Sequence, residues 1–118
     1  MTAATASRQS QLLKGVLDVC LLAVIAEQPS YGYEMTTRLA ERGLSAVGEG
    51  SVYPVLGRLE RNGLVETFME PSNGGPPRKY YRLTERGDDS FARWRDEWVA
   101  TRDAVDEVLD AQLQRVTT

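Results

Sequence analysis

Residues 30–87 constrain the fold most tightly, because their helix and strand breakers come in one fixed order. Pro29 stops one apolar pattern, and Ser30 is placed to cap the next helix. That helix is predicted over residues 31–42, with Met35 and Leu39 inward and Gly43 free to take the left-handed turn that ends it. A link over residues 44–50 holds two glycines. The next helix is predicted over residues 51–62, with Val52, Val55, Leu56 and Leu59 on one face and Asn62-Gly63 as its stop. Two runs rich in β-branched and aromatic residues, 64–70 and 78–83, read as strands. Between them lies Pro-Ser-Asn-Gly-Gly-Pro-Pro, a tip that reads as too long for a two-residue hairpin. Thr84 is placed to cap a last helix over residues 85–114. The fold class expected is mainly α with a two-stranded β wing: a winged helix-turn-helix followed by a C-terminal dimerisation helix.

A chain of 118 residues supports one domain with a modest core. Residues 1–9 are small and polar and read as a flexible N-terminal arm. Residues 10–84 are expected to form the winged-helix DNA-binding domain, and residues 85–118 the dimerisation helix. The first helix is predicted as one piece over residues 10–27. Its apolar positions, from Leu12, Leu13 and Val16 to Val24 and Ile25, wrap most of the way round. A domain this small offers one core side, so the other side is expected to meet a second subunit. The last helix adds Phe91, Trp94, Trp98, Val105, Val108 and Leu109 at 3–4 spacing. With Leu12, Leu13 and Val16 these make the predicted dimer interface.

The longest apolar run, residues 19–26, is too short for the ~18 residues of a membrane span. A cytoplasmic protein without membrane association is the expectation. Cys20 sits in that run and reads as a buried, inert thiol. The net charge of −3 is unevenly spread: residues 1–87 hold ten Lys/Arg against nine Asp/Glu, and residues 88–118 hold four against eight. A nucleic-acid face needs local positive potential rather than a basic whole. There is no His, no cysteine cluster, no metal-ligand spacing and no phosphate-loop glycine pattern, so neither an enzyme nor a cofactor is expected.

Opposite the apolar stripe of the 51–62 helix fall Gly50, Pro54, Gly57 and Arg61, flanked by Tyr53 and Arg58. A merely solvated face gains nothing from glycines and a proline, which lower helix propensity. Small residues there let the backbone approach another surface closely. Arg58 and Arg61 can reach phosphates or guanine edges, with Ser51 and Tyr53 adding contacts. At the ribbon tip, Gly74 and Gly75 expose main-chain N–H groups, and Arg78 and Lys79 follow them. Lys14 joins this DNA-facing set. Trp94 and Trp98 read either as core or coiled-coil packing or as an aromatic surface that stacks a flat ligand.

The ordered set of motifs resembles the PadR family of bacterial transcriptional regulators. The matching segments are Tyr31-Gly32-Tyr33-Glu34, Gly50-Ser51-Val52-Tyr53-Pro54, Leu56-Gly57-Arg58-Leu59-Glu60-Arg61-Asn62-Gly63-Leu64, and the run from Gly74 through Arg78-Lys79-Tyr80-Tyr81 to Thr84-Glu85-Arg86-Gly87. The resemblance spans about residues 11–98. It implies a homodimer with one short C-terminal helix per chain, repressing at a palindromic double-stranded DNA operator and released by a small molecule. It implies that Tyr31 and Tyr33 open a helix beside the DNA backbone. Ser51, Tyr53, Arg58 and Arg61 would then lie on the groove-facing helix, and Arg78 and Lys79 on the wing. Trp98 matches a position where some relatives place an aromatic at a central pore, with Trp94 one turn earlier, which suits a planar aromatic or hydrophobic effector. The alternative is a winged-helix adaptor that binds protein and uses the same helix as a docking face.

Overall fold

The protein is described by a computed structural model, covering the backbone of residues 3–117 and the side chains of residues 8–113. The order is α1 (Ala3–Leu13), α2 (Leu17–Glu27), β1 (Ser30–Tyr31), α3 (Gly32–Glu41), α4 (Glu49–Arg61), β2 (Val65–Ser72), β3 (Gly75–Leu83) and α5 (Glu85–Thr117). It is mainly helical, with one antiparallel sheet of three strands in the order β1-β3-β2. The expected two-stranded wing therefore gains a third strand, and Ser30 lies in that strand instead of capping a helix.

α2 is the hub. Leu17, Leu21, Leu22, Val24 and Ile25 are buried and meet Met35 and Leu39 of α3 and Val52, Leu56 and Leu59 of α4. Truncating one such leucine to alanine costs on the order of 2–5 kcal/mol. Cys20 is half-buried, and its thiol is pushed up by that burial and then by the nearby Asp18 charge, which keeps it protonated.

The single helix expected over residues 10–27 is two. Residues 14–16 form a turn in which the N–H of Lys14 donates to Gln11 and that of Val16 to Leu13. Gly15 at its centre has open space around its Cα, so low helix propensity, not crowding, explains the break. The segment read as an arm is helical from Ala3, the first two residues lying outside the described ones. α1 is held by Gln9. Its Nε2 donates to the Gly43 carbonyl (3.3 Å) and its Oε1 accepts from the Ala46 N–H (3.0 Å), which pins α1 to the α3–α4 turn.

α3 and α4 stop in the same way. Gly43 (φ 97°) and Gly63 (φ 75°) adopt the left-handed conformation. Leu44 N–H then donates to the Leu39 carbonyl and Gly43 N–H to that of Ala40, and likewise Leu64 N–H to Leu59 and Gly63 N–H to Glu60, all at 3.0 Å, the paired bonds of a Schellman motif at each helix end. α5 starts as expected: Thr84 Oγ1 accepts from Gly87 N–H (3.0 Å) and donates to the Gly63 carbonyl (2.6 Å). A side chain on Gly87 would overlap the Leu64 carbonyl oxygen, so only glycine lets α5 leave the wing this closely.

Candidate nucleic-acid interface

The core fixes which face of α4 is free. Val52, Leu56 and Leu59 are buried, and Gly50, Ser51, Tyr53, Pro54, Arg58 and Arg61 are exposed on the other side. Pro54 sits early in α4, which begins at Glu49 after Gly48, two residues sooner than expected. Ser51 is therefore inside the first turn.

Tyr53 is 47% exposed, and the outer end of its ring lies over Gly32. It covers Gly32 so closely that a Cβ there would lie 2.5–2.7 Å from Tyr53 side-chain atoms. Gly32 opens α3 between Tyr31 and Tyr33, within one of the segments of the family resemblance, but sequence reasoning gives it no role of its own.

Behind this contact lies a polar cluster. Ser30 is fully buried, and its hydroxyl donates to Glu34 Oε1 (2.6 Å) and accepts from Arg38 Nη1 (2.8 Å). Arg38 also faces Glu27 at 3.6 Å, and Arg42 bonds the same carboxylate at 2.7 Å. The Arg42 hydrogen bond holds the Glu27 carboxyl below its ordinary range, outweighing desolvation. The cluster ties α2, β1 and α3 together.

The wing is narrower than expected. Ser72 pairs with Gly75, so Asn73-Gly74 is a two-residue turn, with Gly74 at φ 72°. Pro71 faces both Pro76 and Pro77, a bulge between the Glu70–Arg78 pair and the tip. Those prolines are tolerated because β1 pairs β3 only at Tyr80 and Tyr81, leaving that flank of the tip open.

β3 sends its neighbouring cations Arg78 and Lys79 to opposite faces, while Arg82 further along pairs with Glu66 of β2 at 2.8 Å. Arg78 lies 4.6 Å over the Tyr31 ring, on the face where Tyr31, Tyr80 and Phe68 pack across all three strands. Lys79 lies on the inner face, 3.8 Å from Glu60 of α4. Such an exposed pair contributes little stability, but it joins the wing to α4. Burial raises the Tyr81 phenol beside it, with the Glu60 charge adding to the shift. Tyr33 is exposed at the start of α3, and Lys14 is exposed in the α1–α2 turn.

The apolar stripe on α5 divides. Phe91 and Trp94 are half-buried and pack on the subunit's own core, as does Leu13. From Trp98 onward the stripe is bare: Trp98 is 42%, Val105 48%, Val108 65% and Leu109 57% exposed, as is Leu12 of α1 (62%). Val16, Val19, Trp94 and Trp98 line a cleft of about 480 Å³ between α2 and α5, with Asp18 and Glu97 at its edge.

The sequence profile of the PadR-like transcriptional regulators matches residues 21–93. The chain belongs to the PadR-like transcriptional regulator family. A PadR-like regulator from Bacillus cereus is 38% identical with a TM-score of 0.75, the match covering 84% of this chain and 96% of that one. A PadR family regulator from Eggerthella lenta is 30% identical with a TM-score of 0.77, covering 90% and 92%. An uncharacterised protein of Lysinibacillus sphaericus is 30% identical over 104 residues, 86% of this chain and 95% of its own length. This PadR-like chain is thus a transcriptional regulator, and no helix among its described residues is long and apolar enough to cross a membrane.

Proposed function

We propose that this PadR-like regulator is a homodimeric repressor that sets α4 in the major groove of a palindromic operator and its wing on the flanking backbone. The observation that carries the reading is the exposed face of α4, where small residues at 50, 54 and 57 sit among Ser51, Tyr53, Arg58 and Arg61. Arg58 and Arg61 supply phosphate or guanine contacts, and Tyr31, Tyr33, Gly74, Gly75 and Arg78 position the backbone. Lys79 is the weaker member, because its charge already faces Glu60.

Dimerisation is supported by α5. Its 33 residues extend about 50 Å, and its bare apolar stripe would cost solubility if left uncovered. A two-fold pair would set two α4 helices about 34 Å apart, one DNA turn. The α2–α5 cleft beside Trp94 and Trp98 has the size and an aromatic wall suited to a planar aromatic effector. Such a ligand relieves repression only by favouring a dimer geometry that misfits DNA.

The test is a titration onto DNA upstream of the chain's own gene against a scrambled fragment, at two salt concentrations, with light scattering for mass. Sequence-dependent binding by a dimer that weakens with salt supports the reading. Equal or absent binding to both fragments moves the weight to a protein-binding adaptor.

A further inference from the structure

α1 and α4 do not close on each other. Between them is a cavity of about 200 Å³, open on one side, walled by Leu13, Leu17, Val47 and Val55. Lys14, Ser51 and Arg58 line the same cavity. The two cations come from different elements, the α1–α2 turn and α4, and neither side chain has an ion pair or hydrogen bond among the described residues. The Gln9 clamp onto Gly43 and Ala46 holds one wall in place. A preformed apolar hollow with two unneutralised cations is complementary to an anion that carries an apolar body.

We propose that this cavity is a second ligand site, for a small monocarboxylate with a short alkyl or single aryl body, whose occupant competes directly with DNA for α4. The volume is below the about 300 Å³ of a drug-sized site, which limits the body to a few carbons or one ring. Inorganic phosphate would leave the four apolar walls unused, and a neutral hydrocarbon would leave both cations unneutralised. A carboxylate uses both, and the Arg58 guanidinium can grip it with two parallel bonds while Ser51 donates a third. The competition follows from sharing: Ser51 and Arg58 are also groups assigned to DNA. This differs from an effector in the α2–α5 cleft, which touches no DNA-facing side chain and acts only through dimer geometry.

Binding itself is independent of the DNA reading, whereas the competition rests on it. The full chain, with labelled methyl groups, is titrated with hexanoate and separately with hexan-1-ol, and followed by NMR. Saturable hexanoate shifts at Leu13, Leu17, Val47 and Val55 are expected. Hexan-1-ol and the Arg58→Gln or Lys14→Gln variants should each bind at least about tenfold more weakly, since each removes at least one charged hydrogen bond. Both cations are exposed, so these variants keep the fold, which the spectra check directly. Equal affinity for hexan-1-ol, shifts confined to the surroundings of Trp94 and Trp98, or no shift at all would each overturn the site. Hexanoate should also raise the apparent Kd for a bound DNA fragment. Methyl shifts without any DNA binding in the absence of ligand would refute the repressor reading and the competition, leaving the site standing.

Discussion

Replacing Gly32 with alanine should have opposite effects on stability depending on whether Tyr53 is present. A Cβ at residue 32 would sit 2.5–2.7 Å from Tyr53 side-chain atoms, well inside the 3.4 Å at which ordinary contact begins. Overpacking costs about 1–3 kcal/mol, and because the half-exposed Tyr53 ring can turn toward solvent the cost here falls at the lower end, about 1 kcal/mol. The backbone at Gly32 has no positive φ, so alanine also brings its usual gain of about 0.4–1 kcal/mol by restricting the unfolded chain. The net in the wild-type background is a small loss, up to about 0.5 kcal/mol. In a Tyr53→Ala background the ring is gone, and the same change should stabilise by about 0.5 kcal/mol. Urea unfolding of the four proteins, at one fixed protein concentration, reads the sign directly. An equal loss in both backgrounds would mean that Gly32 is needed for something other than the Tyr53 ring. If Tyr53 contacts DNA, Gly32→Ala should weaken operator binding more than its loss of stability explains, because the displaced ring no longer lies over α3.

Three further outcomes are expected. Gly87→Ala should destabilise by about 3 kcal/mol, near the top of the overpacking range, because the clash is with the Leu64 carbonyl and not a movable side chain; denaturant titration measures it. Arg61→Ala should make the slope of log affinity against log salt shallower by about 0.9 for each phosphate that Arg61 neutralises in each subunit, with the dimer intact by light scattering; an unchanged slope would remove Arg61 from the interface. Glu27 is held below its ordinary value near 4.5 by Arg42. Its contribution to stability is therefore complete above that value and is lost as pH falls through the lowered one, so Glu27→Gln should flatten the acid limb of the stability curve and leave its pH dependence near neutrality unchanged.

The helix stops were legible because they rest on local chemistry. Gly43, Asn62-Gly63 and Thr84 each act where the sequence placed them, since a left-handed turn or a capping hydroxyl needs only its own few residues. The exposed face of α4 was legible for the same reason: helical periodicity separates Val52, Leu56 and Leu59 from Arg58 and Arg61. What depended on distant partners was not legible. Ser30 looks like a cap in isolation, but Tyr80 and Tyr81 recruit it and Tyr31 into a strand. Gln9 lies in a polar stretch without periodicity, and its clamp on residues 43 and 46 has no local signature. The apolar run around Gly15 reads as continuous because hydrophobic pattern does not register a turn that redirects the chain. Arg78 and Lys79 are neighbours in sequence, and only strand pairing shows that one faces the aromatic row and the other faces Glu60.

The bulge at Pro71, Pro76 and Pro77 separates the reach of the wing from its orientation. Below it, the Glu70–Arg78 and Met69–Lys79 pairs fix which face each cation takes. Within it the three prolines supply no N–H to the ladder, and above it the chain closes over Asn73-Gly74. Residues added or removed beyond that point change how far the tip extends but do not slip the register beneath, where a one-residue shift would exchange Arg78 and Lys79 between faces. Wing length is thus an adjustable dimension of this fold, open to change by insertion or by engineering without disturbing the side chains already aligned beside α4.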